Sequence, residues 1–227
     1  ISLGAVFVPL NFRLTGEELA FIIGDAGVHT LVVDPELTDV IDSVRDRLPC
    51  HHYFAVEGTP PGYDGLERAM QEADAAPEIA SSSAPDTVLI MYTSGTTGLP
   101  KGAMLTHGHI VWNNVKANLA FGAKNTDVLL TAAPLFHIGG LNVMTISAFQ
   151  MGSPLVLLRH FEPEAVLQAI ERYKVSHMFG APAMFLFMSQ HPAFSNTDLS
   201  SIDILIVGAA PCPCLLYTSD AADEYDR

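Results

Sequence analysis

A chain of 227 residues with 49% hydrophobic side chains can bury one large α/β domain or two small ones, which excludes wholesale disorder. Its formal charge is −14, from 25 acidic against 11 basic residues, and 15 acids against 4 bases fall within residues 1–86. A surface of that sign repels phosphate backbones and anionic headgroups, which speaks against nucleic-acid and peripheral membrane binding.

The chain opens on an apolar segment, ISLGAVFVPL, that reads as a strand. Thr15 and Glu18 form a T-x-x-E capping box, which predicts a helix through Leu19, Phe21, Ile22 and Ile23 that Gly27 ends. A strand is predicted over His29 to Val33, a helix over Pro35 to Leu48, and a strand near Tyr53 to Val56. Strands alternating with helices point to βαβ units and a mostly parallel sheet. Residues 73–86, small, polar and proline-bearing, read as a linker between subdomains 1–72 and 87–213.

After the linker comes TVLIMYT, a continuous apolar strand, then the loop SGTTGLPKG and a helix from about Thr106 to Phe121. The stretch 128–158 carries no formal charge, yet Pro134, His137, Gly139, Gly140, Asn142, Gly152 and Pro154 interrupt it. It therefore predicts buried strand, loop, helix and strand instead of a membrane span. Glu162 and Pro163 open a helix with Val166, Leu167, Ile170 and Tyr173 at helical spacing. HMFG, a helix from Pro182, and the strand DILIVG then lead into GAAP. Cys50, Cys212 and Cys214 offer no disulfide framework and no basic-then-apolar leader is present, so a reducing cytoplasm is the expected setting.

A strand followed by a loop of glycines, hydroxyls and one lysine suits phosphate. Glycines let consecutive N–H groups converge, hydroxyls add donors, and Lys101 adds a full charge. The Walker loop does not match, because Gly95 and Gly98 are three apart and Gly102 follows Lys101. His107 and His109, with no third ligand near, read as helix-start residues, and no metal site is expected.

The motif YTSGTTGLPKG resembles the signature of the adenylate-forming superfamily of acyl-CoA synthetases, luciferases and peptide-synthetase adenylation domains. NFRLTGEELAFIIGDAGVHTLVVD, LTHGHIVWNN, PLFHIGGL, VSHMFGAPAMF and VGAAP resemble further family segments in the family's order, over residues 1 to about 213. The resemblance implies a partial N-terminal domain of layered α/β subdomains, with mostly parallel sheets flanked by helices. It implies ATP, Mg²⁺ and coenzyme A as partners, and a carboxylic, fatty acid as the substrate. Thr93, Ser94, Gly95, Thr96, Thr97, Gly98 and Lys101 are implied to hold the β- and γ-phosphates. Gly208, Ala209, Ala210 and Pro211 are implied to lie along the adenine. His137 is implied to stand near the acyl-adenylate, where peptide-synthetase domains carry an Asp for an ammonium group. Ala181, Met184 and Phe185 are candidates for either an acyl pocket or plain core. An aryl-CoA or luciferase-like member and a nucleotide-binding module without chemistry are the alternatives. Both ends read as cuts, without the family's hinge or C-terminal lysine. Residues 214–227 resemble an in-frame translation of a transposase sequencing adapter and are expected to be foreign to the domain.

Overall fold

The computed structural model describes residues 3–73, 81–93 and 98–212, and the chain forms two compact units, Ile1–His109 and Ile110–Arg227. The division thus falls after the phosphate loop, not at the 73–86 linker. Of that linker, residues 74–80 lie outside the described residues. Its last part is tied down: Asp86 O accepts the His107 N–H at 3.0 Å, and Ala84 O the Gly108 N–H at 2.8 Å.

In the first unit, helix α1 (Gly16–Asp25) starts as its sequence predicts. The Thr15 N–H donates to Glu18 Oε2 at 2.8 Å and the Glu18 N–H to Thr15 Oγ1 at 3.4 Å. Strands β1 (Thr30–Val33), β2 (His52–Ala55) and the short β3 (Asp64–Gly65) form a parallel sheet in that order, with Thr30 opposite His52. Leu31 and Val33, alternate residues of β1, are buried against Leu19, Ile23, Ile41 and Ala55. The helix expected over 35–48 is broken. Only α2 (Thr38–Asp42) is α-helical, between 3₁₀ turns at Pro35–Leu37 and Arg45–Arg47. Ser43 Oγ donates to Val40 O at 2.7 Å and Val44 adopts φ −129°, so side chain and backbone both leave the helical path. A helix that the sequence reading did not include, α3 (Leu66–Glu72), follows β3.

Over its described residues, 3–10, the opening segment is not a strand: Phe7 makes one isolated bridge to Leu89, its N–H donating to Val88 O at 2.9 Å. Strand β4 (Thr87–Thr93) forms as predicted, but its partner is β5 (Lys101–Thr106), antiparallel to it. The sequence reading ran the loop directly into a helix. Lys101 instead begins a strand, and helix α4 (His107–Phe121) starts six residues later. At its start the His109 N–H donates to Thr106 Oγ1 and the Thr106 N–H to His109 Nδ1, each at 3.2 Å. His109 is therefore a capping residue.

The second unit carries a four-stranded parallel sheet in the order β7-β6-β8-β9, from β6 (Leu129–Thr131), β7 (Leu155–Leu157), β8 (His177–Gly180) and β9 (Ile204–Val207). Between β6 and β7 the uncharged stretch folds as a π-helix (Gly139–Ile146) running into α5 (Ser147–Met151), ended by Gly152 at φ +70°. Helices α6 (Pro163–Tyr173) and α7 (Pro182–Gln190) follow β7 and β8. Glu162 caps α6 by accepting the Ala165 N–H at 2.9 Å. Adjacent residues of each inner strand serve opposite faces of the sheet. Leu130 and Met178 pack with Val166, Leu167 and Ile170, whereas Leu129 and Phe179 pack with Met144 and Ala148. Phe185 belongs to the α6 core and Met184 packs against it. Tyr173, expected inside, is exposed.

Candidate functional site

The lysine of the phosphate motif is placed by a hairpin. Thr93 pairs with Lys101 across β4 and β5, so the two flank the loop between them. Ser94, Gly95, Thr96 and Thr97 lie outside the described residues. Gly98 has φ +91°, a left-handed conformation that a side chain resists. Gly102 has a different reason to be glycine. A Cβ there would meet Ile90 Cγ2 at 2.8 Å and Tyr92 Cζ at 3.0 Å. The Tyr92 ring thus occupies the side-chain space of Gly102, and its hydroxyl reaches Asp25 Oδ2 on α1 at 2.5 Å. Burial, then the Asp25 acceptor, pushes the Tyr92 hydroxyl up to about 12. A single aromatic therefore ties the strand that precedes the loop to the end of α1. Lys101 itself is exposed.

In the second unit the chain leaves β6 toward β7 on one side, then returns to β8 on the other. That reversal makes the carboxyl ends of β6 and β8 a topological switch point, where parallel sheets open a crevice for ligands. His137 stands in the turn after β6, with its N–H donating to Pro134 O at 3.2 Å. Its Nδ1 accepts the Gly139 N–H at 3.2 Å, so a neutral ring carries its proton on Nε2. The exposed edge of His137 then presents one N–H donor at the crevice. Gly140 is confined by backbone: a Cβ would sit 2.3 Å from Pro134 O and 2.7 Å from Ala133 O.

Gly208, Ala209, Ala210 and Pro211 follow β9 at the same end of the sheet, where the Gly208 N–H donates to Gly180 O at 3.1 Å. Ala209 holds φ +71°, an unfavourable region for an L-residue, and Ala209, Ala210 and Pro211 are exposed. The residue that joins this turn to His137 is Phe179. A Cβ on Gly139 would meet its Cε1 at 2.7 Å, and one on Gly208 its Cε2 at 3.0 Å. The sequence places Phe179 in VSHMFGAPAMF, a segment resembling the family's substrate pocket, without singling it out. The two glycine positions that flank its ring were the available signal.

The AMP-binding enzyme family matches residues 1–218. The chain belongs to this family. Among the AMP-binding enzymes it is 36% identical to a feruloyl-CoA synthase of Amycolatopsis sp, covering 98% of this chain and 42% of that protein. It is 31% identical to a long-chain-fatty-acid–CoA ligase of Mycobacterium tuberculosis, over 99% of this chain and 44% of that protein. Its fold matches the crystal structure of an anthranilate CoA ligase in complex with anthranoyl-AMP. The TM-score is 0.86 at 27% identity, over 96% of this chain and 43% of that one. The chain thus spans less than half the length of these relatives. Among its described residues no helix is long and apolar enough to cross a membrane.

Proposed function

We propose that this chain is the nucleotide- and acid-handling part of an AMP-forming acid–CoA ligase, with an aryl acid as the substrate of the whole enzyme. The observation that carries the reading is the switch-point crevice. There the His137 donor and the Gly208–Ala209 turn are held together by one buried ring, Phe179. In the reaction a substrate carboxylate oxygen attacks the α-phosphorus of ATP and pyrophosphate departs, leaving an acyl-adenylate. A coenzyme A thiolate then attacks the acyl carbon and AMP departs. Attack of an anion on a triphosphate requires charge neutralisation and alignment. Lys101 neutralises phosphate charge, and Thr93 with the loop after it offers hydroxyl and backbone donors. The Nε2–H of His137 donates to an oxygen of the acyl-adenylate, and residues 208–211 hold the adenine.

Magnesium accompanies ATP in this reading and would offset charge on the phosphates. Among the described residues no three His, Cys, Asp or Glu side chains converge to hold a metal, so no protein ligand is assigned to it. The aryl reading rests on the higher identity to a feruloyl-CoA synthase and on the fold match to an anthranilate ligase. The fatty-acid reading made from the sequence has its support in the Mycobacterium tuberculosis relative. The test is thioester formation by the complete enzyme, followed by coenzyme A consumption and ATP–pyrophosphate exchange, with matched aryl, fatty and amino acids. Preference for aryl acids is the expected result. Preference for fatty acids would overturn the substrate class, and nucleotide binding without any exchange would overturn the enzyme itself.

A further inference from the structure

Strands β4 and β5 form a two-stranded sheet, with Tyr92 opposite Gly102 and Thr93 opposite Lys101 at the end that bounds the phosphate loop. A two-stranded ribbon is marginally stable alone, so its placement depends on what holds it from outside. Toward the other end of β4 the hold comes from Phe7. Its N–H donates to Val88 O at 2.9 Å, and its O accepts the Ile90 N–H at 3.0 Å. Lys101, Gly102, Ala103 and Met104 of β5 are all exposed, so that strand buries no side chain near the loop.

At the loop end, Met91 is buried on one face of β4 and Tyr92 stands on the other. The Tyr92 ring lies over Gly102, where a Cβ would meet its Cζ at 3.0 Å and its Cε2 at 3.2 Å, and so sets the fit of the two strands. Its hydroxyl donates to Asp25 Oδ2 at 2.5 Å, across 67 residues, and so ties the ribbon to the last residue of α1. An O–H donated to a carboxylate is among the shorter and stronger hydrogen bonds. Helix α1 is itself anchored, through its capping box and the buried Leu19, Ile22 and Ile23. One side chain thus joins three elements. It does so one residue before Thr93 on its own strand and, across the ladder, one residue after Lys101.

Resting on the reading that Lys101 meets the phosphates of ATP, we propose that Asp25 and Tyr92 are positioning residues for ATP, acting through Thr93 and Lys101 by the hydrogen bond between them. The ammonium of Lys101 rides on a flexible four-carbon stem, so its reach is defined only if its backbone is fixed. The ring and the hydroxyl of Tyr92 have separable tasks. Tyr92→Phe keeps the ring over Gly102 and removes the tie to α1. Asp25→Ala removes the same tie from its other end, whereas Asp25→Asn keeps a side-chain oxygen that accepts the hydroxyl.

The experiment is steady-state kinetics of the complete enzyme, with ATP varied at saturating acid and coenzyme A, and then the acid varied at saturating ATP. Tyr92→Phe and Asp25→Ala are each expected to raise the KM for ATP about tenfold, and to leave the KM for the acid within about twofold. Asp25→Asn is expected to stay within about threefold of wild type for ATP. The double variant Asp25→Ala, Tyr92→Phe is expected to match the worse single one within about twofold, because the two remove one and the same bond. A merely structural role lowers the fraction of active enzyme, and so lowers kcat with every substrate while the KM for ATP stays put. That pattern would overturn the proposal, as would effects that multiply in the double variant, or a rise in Asp25→Asn as large as in Asp25→Ala. Melting curves establish folding. Tyr92→Phe keeps the ring and Asp25 is exposed, so folded protein is expected for both. Lys101→Ala separates the two readings. If it raises the KM for ATP and the Asp25 and Tyr92 variants do not, this inference alone fails. If Lys101→Ala leaves ATP kinetics unchanged, the phosphate reading fails and this inference with it.

Discussion

Replacing Gly140 by alanine puts a methyl carbon 2.3 Å from Pro134 O and 2.7 Å from Ala133 O. Ordinary contact begins near 3.5 Å, so relief requires a movement of about 1 Å. The obstacles are backbone carbonyls of one turn, and no rotamer change can clear them. Overpacking of a buried site costs typically about 1–3 kcal/mol, and this case belongs at the upper end, about 3 kcal/mol. The same turn holds His137 through its N–H to Pro134 O, so the shift carries the imidazole with it. A displacement of about 1 Å at a reacting group can lower turnover by about a hundredfold. Urea unfolding followed by circular dichroism measures the first effect, and thioester formation by the complete enzyme the second. Gly24→Ala is the control, since a Cβ there meets nothing within 4 Å and the position lies in α1. It is expected to stabilise by about 0.5–1 kcal/mol. A loss below about 1 kcal/mol for Gly140→Ala would refute the argument from the backbone clash.

Lys101→Ala in the complete enzyme is expected to lower kcat/KM for ATP by about tenfold to a thousandfold at saturating acid, on the scale of a lost charge-stabilising donor. Unchanged ATP kinetics would remove Lys101 from phosphate binding. The raised ionisation of Tyr92 predicts a pH effect whose sign follows from linkage. Its folded-state value, about 12, exceeds the ordinary tyrosine value of 10, so its stabilising contribution is complete below pH 10 and is lost as pH rises from 10 through 12. Tyr53 and Tyr63 are shifted upward too, so the measurement is the difference in unfolding free energy between wild type and Tyr92→Phe across that window. A difference that stays constant would place the Tyr92 hydroxyl outside the Asp25 contact.

The elements most legible in the sequence were those whose local chemistry agreed with their burial. Thr15 and Glu18 announced α1, Glu162 and Pro163 announced α6, and the broken apolar run 128–158 resolved into strand, helix and strand as its glycines and prolines required. Strand β5 was not legible, and its composition explains why. Lys101, Gly102, Ala103 and Met104 are all exposed, so no alternation of polar and apolar residues marks the strand, and glycine and alanine are poor strand formers. What holds β5 is the ladder to β4 and the fit of the Tyr92 ring over Gly102, both non-local. The helix expected over 35–48 failed for the converse reason: its apolar spacing was helical, but Thr38 and Ser43 hydroxyls bond to backbone carbonyls within it. At the candidate site, His137 and Gly208 could be named from motifs, whereas Phe179 could not. Its meaning lies in what surrounds it, which a sequence does not display.

The crowded glycines support the proposed site without reference to any motif. Ala209 keeps a left-handed φ of +71°, at a cost of about 1–2 kcal/mol for an L-residue. Gly139, Gly140 and Gly208 leave no room for a side chain, and each forgoes the lower conformational entropy of a larger residue. Asn114 and Asn142 are desolvated without full pairing. Gly139, Gly140, Gly208 and Ala209 all lie just beyond the carboxyl ends of β6 and β9, and Asn142 follows within the same helix as the two glycines. At the amino end of the sheet Ser176 instead accepts the Val128 N–H and stands 2.8 Å from His177 Nδ1, and Ser176 O accepts the N–H groups of Asp203 and Ile204. The amino end also carries a positive φ, at Lys174, and a buried unpaired atom, His177 Nε2, but the glycines that a side chain would crowd all lie at the carboxyl end. For a parallel sheet whose chain direction reverses between β6 and β8, that is the end at which the proposed site is placed.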